Sequence, residues 1–442
     1  MSGIIDSEER NALHRLWSLG VVLLVVFVSF AGLDPRVTPL RVLFLICIAL
    51  VVYAAAIWTV ARANFQTRRG LAVCLVLAAL WRIPLLVTPP ELSDDVYRYI
   101  WDGRLQNMGI DPYSSSPSDP ELHVFHTPTT RLTNNSDLPT IYPPGAQIFF
   151  RIVTMLSEDV FAMKFALTIC EIATAWLLLK WLALAGKSPW WVLVFAWNPL
   201  TSIEISGGGH IDALGMLLIM ASALWLRQGR SLPAVLAFTF SITVKFLPLV
   251  LIPIFWRRVK IRDVVLAGLL IIALYIPFLS KDFQLPIGSL TYYFEKWRFN
   301  GPLFGLLENM LGTLISVRSM VVLVASAGFM AGLWARARLS LASPSAWAWP
   351  MAVVLLAMPT VYPWYLLWLA PFLTTAGTFP LAVWSATVLL TYIVWYFVSL
   401  GAEWGLPSWV FVIEYGAVIL ALVLLWKSNL RVNRDRIMAR VL

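Results

Sequence analysis

The sequence predicts an all-α polytopic membrane protein, a single integral membrane domain over residues 1–442 with about 12 spans. Three observations carry this. Hydrophobic residues make up 60% of the chain and charged residues only 13%, too apolar for a soluble globular protein. Apolar runs recur at the roughly 20 residues that a helix needs to cross a hydrocarbon core of about 30 Å. No run alternates polar and apolar residues as a barrel strand does, so helices are the spanning structure left. The net charge of +9 is not a nucleic-acid signature, because the basic residues sit in short loops beside the spans. Cys47, Cys74 and Cys170 fall inside apolar runs and read as small packing residues.

The expected spans are 13–31, 38–61, 70–89, 159–184, 188–205, 211–227, 263–280, 318–336, 346–359, 362–377, 380–400 and 409–427. The first apolar run lacks a small-residue cleavage site and reads as a retained span rather than a signal peptide. Basic clusters at Arg10/Arg15, Arg62/Arg68/Arg69, Lys180/Lys187, Arg227/Arg230, Arg257–Arg262, Arg336/Arg338 and the 427–440 tail set the orientation. All can face the cytoplasm together only if residues 231–256 enter and leave on the same side. A re-entrant hairpin broken near Lys245 and Pro248 achieves this. Both termini are then cytoplasmic. Residues 142–157 form a short helix at the outer surface, started by Pro143-Pro144-Gly145.

Two outer segments remain. Residues 90–141 hold eight acids and three arginines. Residues 281–317 include the aromatic, amphipathic run "SLTYYFEKWRFNGPLFGLLENM", suited to a helix in the interface. The sequence shows no internal repeat and no soluble domain.

Four groups of residues could carry chemistry. In "ELSDDVYRYIWDGRLQNMGIDPY", Asp94 and Asp95 point about 100° apart on a helix, so one can face a cavity while the other caps or pairs. Ser93 or Asp94 could cap that helix. Arg98 follows Asp94 and Asp95 by four and three residues, and Asp102 follows Arg98 by four, so all lie on one side. This is either a surface helix laced with ion pairs or a general base held beside an anion-binding arginine. In "WNPLTSIEISGGGHIDALG", Glu204, His210 and Asp212 surround three glycines at the ends of two spans. Asp212 could equally cap the following helix. Lys245 in "SITVKFLPLVLIP" needs an anion at membrane depth: a bound phosphate, or an internal partner such as Glu204 or Glu171. Tyr142, Tyr292, Tyr293, Trp297, Tyr362, Trp364 and Tyr365 form either an interfacial belt or cavity walls suited to sugar rings. No metal-ligand spacing appears; a divalent cation at the aspartate pair is neither required nor excluded, and no cofactor is required.

In their order, "SDDVYRYIWDGRLQNMGIDPY", "IYPPGAQ", "WNPL…GGGHIDALG", "TVKFLPLVLIP", "YYFEKWRFNGPLFGLL" and "YPWYLLWLAPF" resemble the C-type (GT-C) membrane glycosyltransferases. Among these the likeness is to bacterial polyprenyl-phosphate-mannose-dependent mannosyltransferases. The resemblance covers roughly residues 70–400, with outer loops at 90–158 and 281–317. Residues 1–69 are then extra N-terminal spans of open role, and 401–442 the last span with its basic tail. The resemblance implies a GT-C-type bundle, a catalytic first outer loop, a lipid-phosphate sugar donor and an inverting transfer. The family's carboxylate pair falls on Asp94 and Asp95, its "GIDPY" on 109–113 ending at Tyr113, and its "YPP" on 142–144. The expected substrate-binding set is Arg98, Asp102, Tyr113, Tyr142, His210, Asp212, Lys245, Trp297, Asn300, Tyr362, Trp364 and Tyr365. The expected protein is a mannosyltransferase of the bacterial inner membrane with its site facing the periplasm. Its expected partners are a polyprenyl-phosphate hexose and a glycolipid, polysaccharide or terpenoid acceptor. A secondary transporter or flippase would share the broken helices and the deep lysine, but not the need for the acidic loop.

Overall fold

A computed structural model describes residues 7–279 and 285–441, with side chains to Ser428. The start of the second outer loop at 281–284 and the basic side chains beyond 428 lie outside the described residues. The described residues are helical, with no strand and one isolated bridge between Phe299 and Thr360.

Among the described residues eight helices are long and apolar enough to cross a membrane: Ser7–Phe30, Pro39–Arg62, Arg68–Val87, Val160–Leu184, Ile261–Phe278, Val317–Arg338, Ala376–Ser399 and Ser408–Ser428. In the first, Leu13, Leu16, Gly20, Leu23, Phe27 and Phe30 are buried at spacings of three and four, while Val21, Val25 and Val28 are exposed. The outward face of valines has no partner in the fold and suits lipid. The other four expected spans differ. Asp212–Arg227 and Pro344–Ala357 are single helices of 16 and 14 residues. The expected spans at 188–205 and 362–377 are not continuous helices. Pro189 and Pro199 divide the first into short turns, ending in a π-helical turn at Ser202–Gly207. Pro363 and Pro371 divide the second.

Residues 231–256 fold back on themselves. The helix Ser231–Val244 ends where Lys245 becomes extended, and short turns at Leu247–Leu251 and Ile252–Phe255 return the chain. The backbone N–H of Lys260 donates to Ser231 Oγ at 3.1 Å, so the segment finishes beside its start. The helix Asp212–Arg227 runs antiparallel to Ser231–Val244, which brings Asp212 and Lys245 to the same end.

The first outer loop packs as two helices. Asp95–Asn107 lies against Pro144–Leu156, with Tyr99 stacked on Phe150 at 4.4 Å and Gln106 donating to Gln147. The second loop is not the single interfacial helix expected. It forms Leu290–Lys296 and Pro302–Leu311, separated by an extended stretch in which Asn300 takes a φ of +50°.

A buried ion pair unseen in the sequence locks three elements. Arg82, inside Arg68–Val87, donates to Glu171 on the Val160–Leu184 helix (Nε–Oε2 2.9 Å) and to Ala196 O in the broken segment at 3.0 Å. Removing one partner of such a pair costs about 3–5 kcal/mol, whereas replacing both by apolar residues is often neutral. Glu171→Leu is therefore expected to lower the thermal midpoint of the detergent-solubilised protein sharply, and adding Arg82→Met to recover most of the loss. Heating followed by size-exclusion chromatography measures both.

Candidate active site

The loop helix, the hairpin end at Lys245 and the second outer loop enclose a cavity of about 550 Å³. Asp94, Asp95, Arg98, Tyr142, Lys245, Trp297, Tyr362, Trp364 and Tyr365 all line it. An apolar groove of about 230 Å³, lined by Leu247, Val250, Val321, Val324, Val354 and Met358, shares Tyr142, Lys245, Tyr293 and Tyr365 with the cavity. The polar and apolar spaces therefore meet at Lys245.

Lys245 pairs with Asp212, not with Glu204 or Glu171. Its Nζ lies 2.8 and 2.7 Å from the two carboxylate oxygens and 4.7 Å from the centre of the Tyr365 ring. Asp212 is fully buried and also accepts from Trp368 Nε1 at 2.7 Å. Gly215 makes this possible: a Cβ there would lie 2.0 Å from the Trp368 ring. Two of the three Nζ protons are committed to Asp212, and the third is free to meet a ligand.

The two aspartates differ in surroundings. Asp94 stands at the start of the loop helix but its side chain does not cap it; the Asp95 N–H instead faces Ser93 Oγ at 3.4 Å. Asp94 is drawn to Arg36, 3.3 Å away in the loop between the first two helices. Arg36 also sits 5.2 Å from the centre of the Trp395 ring. Asp95 lies deeper, accepts from Asn134 Nδ2 at 3.1 Å, and faces His210 Nδ1 at 3.7 Å. Burial pushes the Asp95 carboxyl above its ordinary range, against the pull of Asn134 and Lys245. Burial raises Asp94 as well, opposed by Arg36.

Arg98 pairs with Asp102 (Nε–Oδ1 2.7 Å) rather than with either of these aspartates, and donates to Leu138 O at 2.9 Å. Its Nη2 is buried without a partner. Four expected site residues line neither space. Asp102, fully buried, takes Arg98, Thr140 and Gln147 and holds the loop together. Tyr113 donates to Tyr142 O at 2.7 Å. Asn300 donates to Glu414 Oε1 at 3.1 Å and ties the second loop to the last helix. His210 is fully buried behind Asp95 and stacks on Trp364. The aromatic wall is a stack: Tyr362 lies on Trp364 at 4.5 Å, and Phe299 on Tyr362 at 4.7 Å.

The cavity also holds residues that sequence reasoning missed: Asn134, Asn135, Arg298, Trp395 and Trp404. Arg36, at its rim, had a signal, as a lone arginine in an expected outer loop against the inside bias of basic residues. Among the described residues no group of three or more His, Cys, Asp or Glu side chains is arranged to hold a metal ion.

A carboxylate serves as a base only when ionised, so a turnover that depends on Asp95 should fall as pH drops through a value above the ordinary aspartate pKa of about 3.9. Arg36→Ala removes the lowering influence on Asp94, raises that carboxyl further, and leaves the Asp95-controlled limb in place. The pH dependence of turnover in the parent and in Arg36→Ala measures this; a limb that moves with Arg36 would implicate Asp94.

Comparison with known proteins gives a consistent match. The family described as alpha-(1->6)-mannopyranosyltransferase, N-terminal domain, matches residues 18–260, and so takes in the second N-terminal helix and the latter half of the first. Alpha-(1->6)-mannopyranosyltransferase A of Mycobacterium tuberculosis is 26% identical over 392 residues, covering 79% of this chain and 74% of that protein. Alpha-(1->6)-mannopyranosyltransferase B of Corynebacterium glutamicum is 23% identical over 360 residues, 69% of this chain and 58% of that protein. A probable alpha-(1->6)-mannopyranosyltransferase of Mycolicibacterium smegmatis is 28% identical over 159 residues, 34% of this chain and 28% of its own length. No solved structure matches. With a matching family over more than half its length and a multi-pass helical fold around a cavity lined by two aspartates and three basic side chains, the chain belongs to the alpha-(1->6)-mannopyranosyltransferase family and is a membrane glycosyltransferase.

Proposed function

We propose that the protein transfers mannose from a polyprenyl-phosphate donor to a hydroxyl of a cell-envelope glycan or glycolipid, at the periplasmic face of the inner membrane, in a single inverting displacement. The observation that carries this reading is the meeting of an apolar groove and a polar, charged cavity at one lysine. A polyprenyl phosphate is a long apolar chain ending in an anion. The groove suits the chain, and Lys245 with its free proton suits the phosphate. The unpartnered Nη2 of Arg98 is a second cation on the cavity wall. The aromatic faces of Trp297, Tyr362 and Trp364 suit sugar rings.

Asp95 is the base in this reading, because Asp94 is occupied by Arg36 at the rim. Asp95 takes the acceptor hydroxyl proton as that oxygen forms a bond to the anomeric carbon. The bond from that carbon to the phosphate oxygen breaks, and its electron pair leaves on the phosphate beside Lys245. Inversion of a β-linked donor gives an α-linkage, as the names of the relatives describe for those proteins. Orientation follows the basic clusters, which this reading puts on the cytoplasmic side together with both ends of the 231–256 hairpin.

Asp95→Asn is expected to lower kcat on the order of 10³-fold while donor binding persists, and Asp94→Asn to keep turnover within about tenfold. Purified protein offered a panel of polyprenyl-phosphate hexoses, with release of polyprenyl phosphate followed, tests this. Parent-like turnover in Asp95→Asn overturns the base assignment. No release from any of the donors overturns the donor class.

A further inference from the structure

His210 has no contact with either cavity, yet it adjoins the base. Its ring is fully buried and stacks on Trp364 with centroids 4.0 Å apart. Nδ1 lies 3.7 Å from Asp95 Oδ2, and Nε2 lies 3.4 Å from Glu204 Oε2. Neither nitrogen has a hydrogen-bond partner. On the far side of Glu204, the Tyr392 hydroxyl donates to Oε1 at 2.7 Å. Gly209, with a φ of +73°, turns the backbone just before the histidine.

A buried polar ring with both nitrogens unpaired is costly. Here each nitrogen faces a carboxyl across a gap a little longer than a hydrogen bond, which a small side-chain shift completes. A neutral imidazole offers one donor and one acceptor. The two carboxyls differ in the same sense. Asp95 opens onto the cavity that Lys245 shares, whereas Glu204 is fully buried, and among the described residues its ion-pair partner is His210 alone. The charged and titratable groups around His210 include Asp95 on one side, Glu204 and Tyr392 on the other, Lys164 against Gly209, Tyr99 beside Ile211, and the Lys245–Asp212 pair further off.

We propose that Glu204 carries a proton and donates it to His210 Nε2, which fixes the imidazole as the Nδ1–H tautomer and aims that N–H at Asp95 Oδ2. His210 is then a positioning residue. Together with Asn134 on Oδ1, it holds both oxygens of Asp95 and favours the ionised form that accepts the acceptor proton. The role given to Asp95 rests on the functional reading above; the tautomer does not.

Solid-state 15N NMR of the full-length protein labelled at its four histidines reads the tautomer without substrate. Loss of one signal in His210→Gln assigns it. The expected state is protonated Nδ1 and bare Nε2 in the parent. Glu204→Gln retains it, because Tyr392 holds the amide oxygen and the amide N–H replaces the acid proton, and Glu204→Leu abolishes it. With polyprenyl-phosphate mannose, Glu204→Gln should keep turnover within about tenfold. Glu204→Leu and His210→Phe should lower kcat on the order of 10²-fold with KM unchanged. A parent His210 protonated at Nε2, or a Glu204→Gln variant as inactive as Glu204→Leu, overturns the proposal. A parent that turns over no such donor sinks the functional reading, and the tautomer still decides the proposal.

Discussion

The Lys245–Asp212 ion pair is the constraint on which the site depends. A lysine beside an apolar groove cannot stay charged without an anion, and Asp212 supplies it from the start of the neighbouring helix. The pairing fixes the ammonium where the groove and the cavity meet. It also accounts for the broken hairpin. Had the Ser231 helix continued past Val244, its side chains would follow the helical screw, and Lys245 would not turn to the Asp212 end. The extended residue at 245 and the proline at 248 end that helix at this point. Trp368 donating to Asp212, and the glycine that admits its ring, brace the pair from behind.

Charge is distributed around that point by pairing. Arg82 with Glu171 fixes the frame, Arg98 with Asp102 fixes the outer loop, and Arg36 holds Asp94 at the mouth. Asp95 is the carboxylate left without a close cation at the cavity. The N-terminal helices therefore bear on the site itself. The loop joining them delivers Arg36 to the rim, which separates two adjacent aspartates into a tethered one and an available one. The family match beginning at residue 18 is consistent with those helices being integral to the protein.

Much of this was legible in the sequence. Apolar run length marked the eight long helices seen among the described residues, and the chain turns back between Ser231 and Lys260. Asp95, Lys245 and the tyrosines of "TVYPWY", conspicuous by charge and proline breaks in so apolar a chain, line one cavity in the structure. What failed was partner choice. Spacing of three and four offered Arg98 to Asp94, Asp95 and Asp102 alike, and only tertiary packing selected Asp102. Continuous spans were expected at 188–205 and 362–377 because hydropathy counts apolar residues and does not see where prolines at Pro199 and Pro363 redirect the backbone. Arg36 and Trp404 come from distant segments, and no local pattern links them to the loop helix.

In the proposed function the lipid phosphate binds at the junction marked by Lys245. A cryo-EM structure with a non-transferable polyprenyl-phosphonate mannose analogue tests it most directly. The phosphonate is expected within ion-pair distance of Lys245 Nζ, the isoprenoid chain between Val321 and Val354, and the sugar against Trp364 and Asp95. A headgroup bound at the rim beside Arg36 and Arg298, with its chain outside the groove, would contradict it.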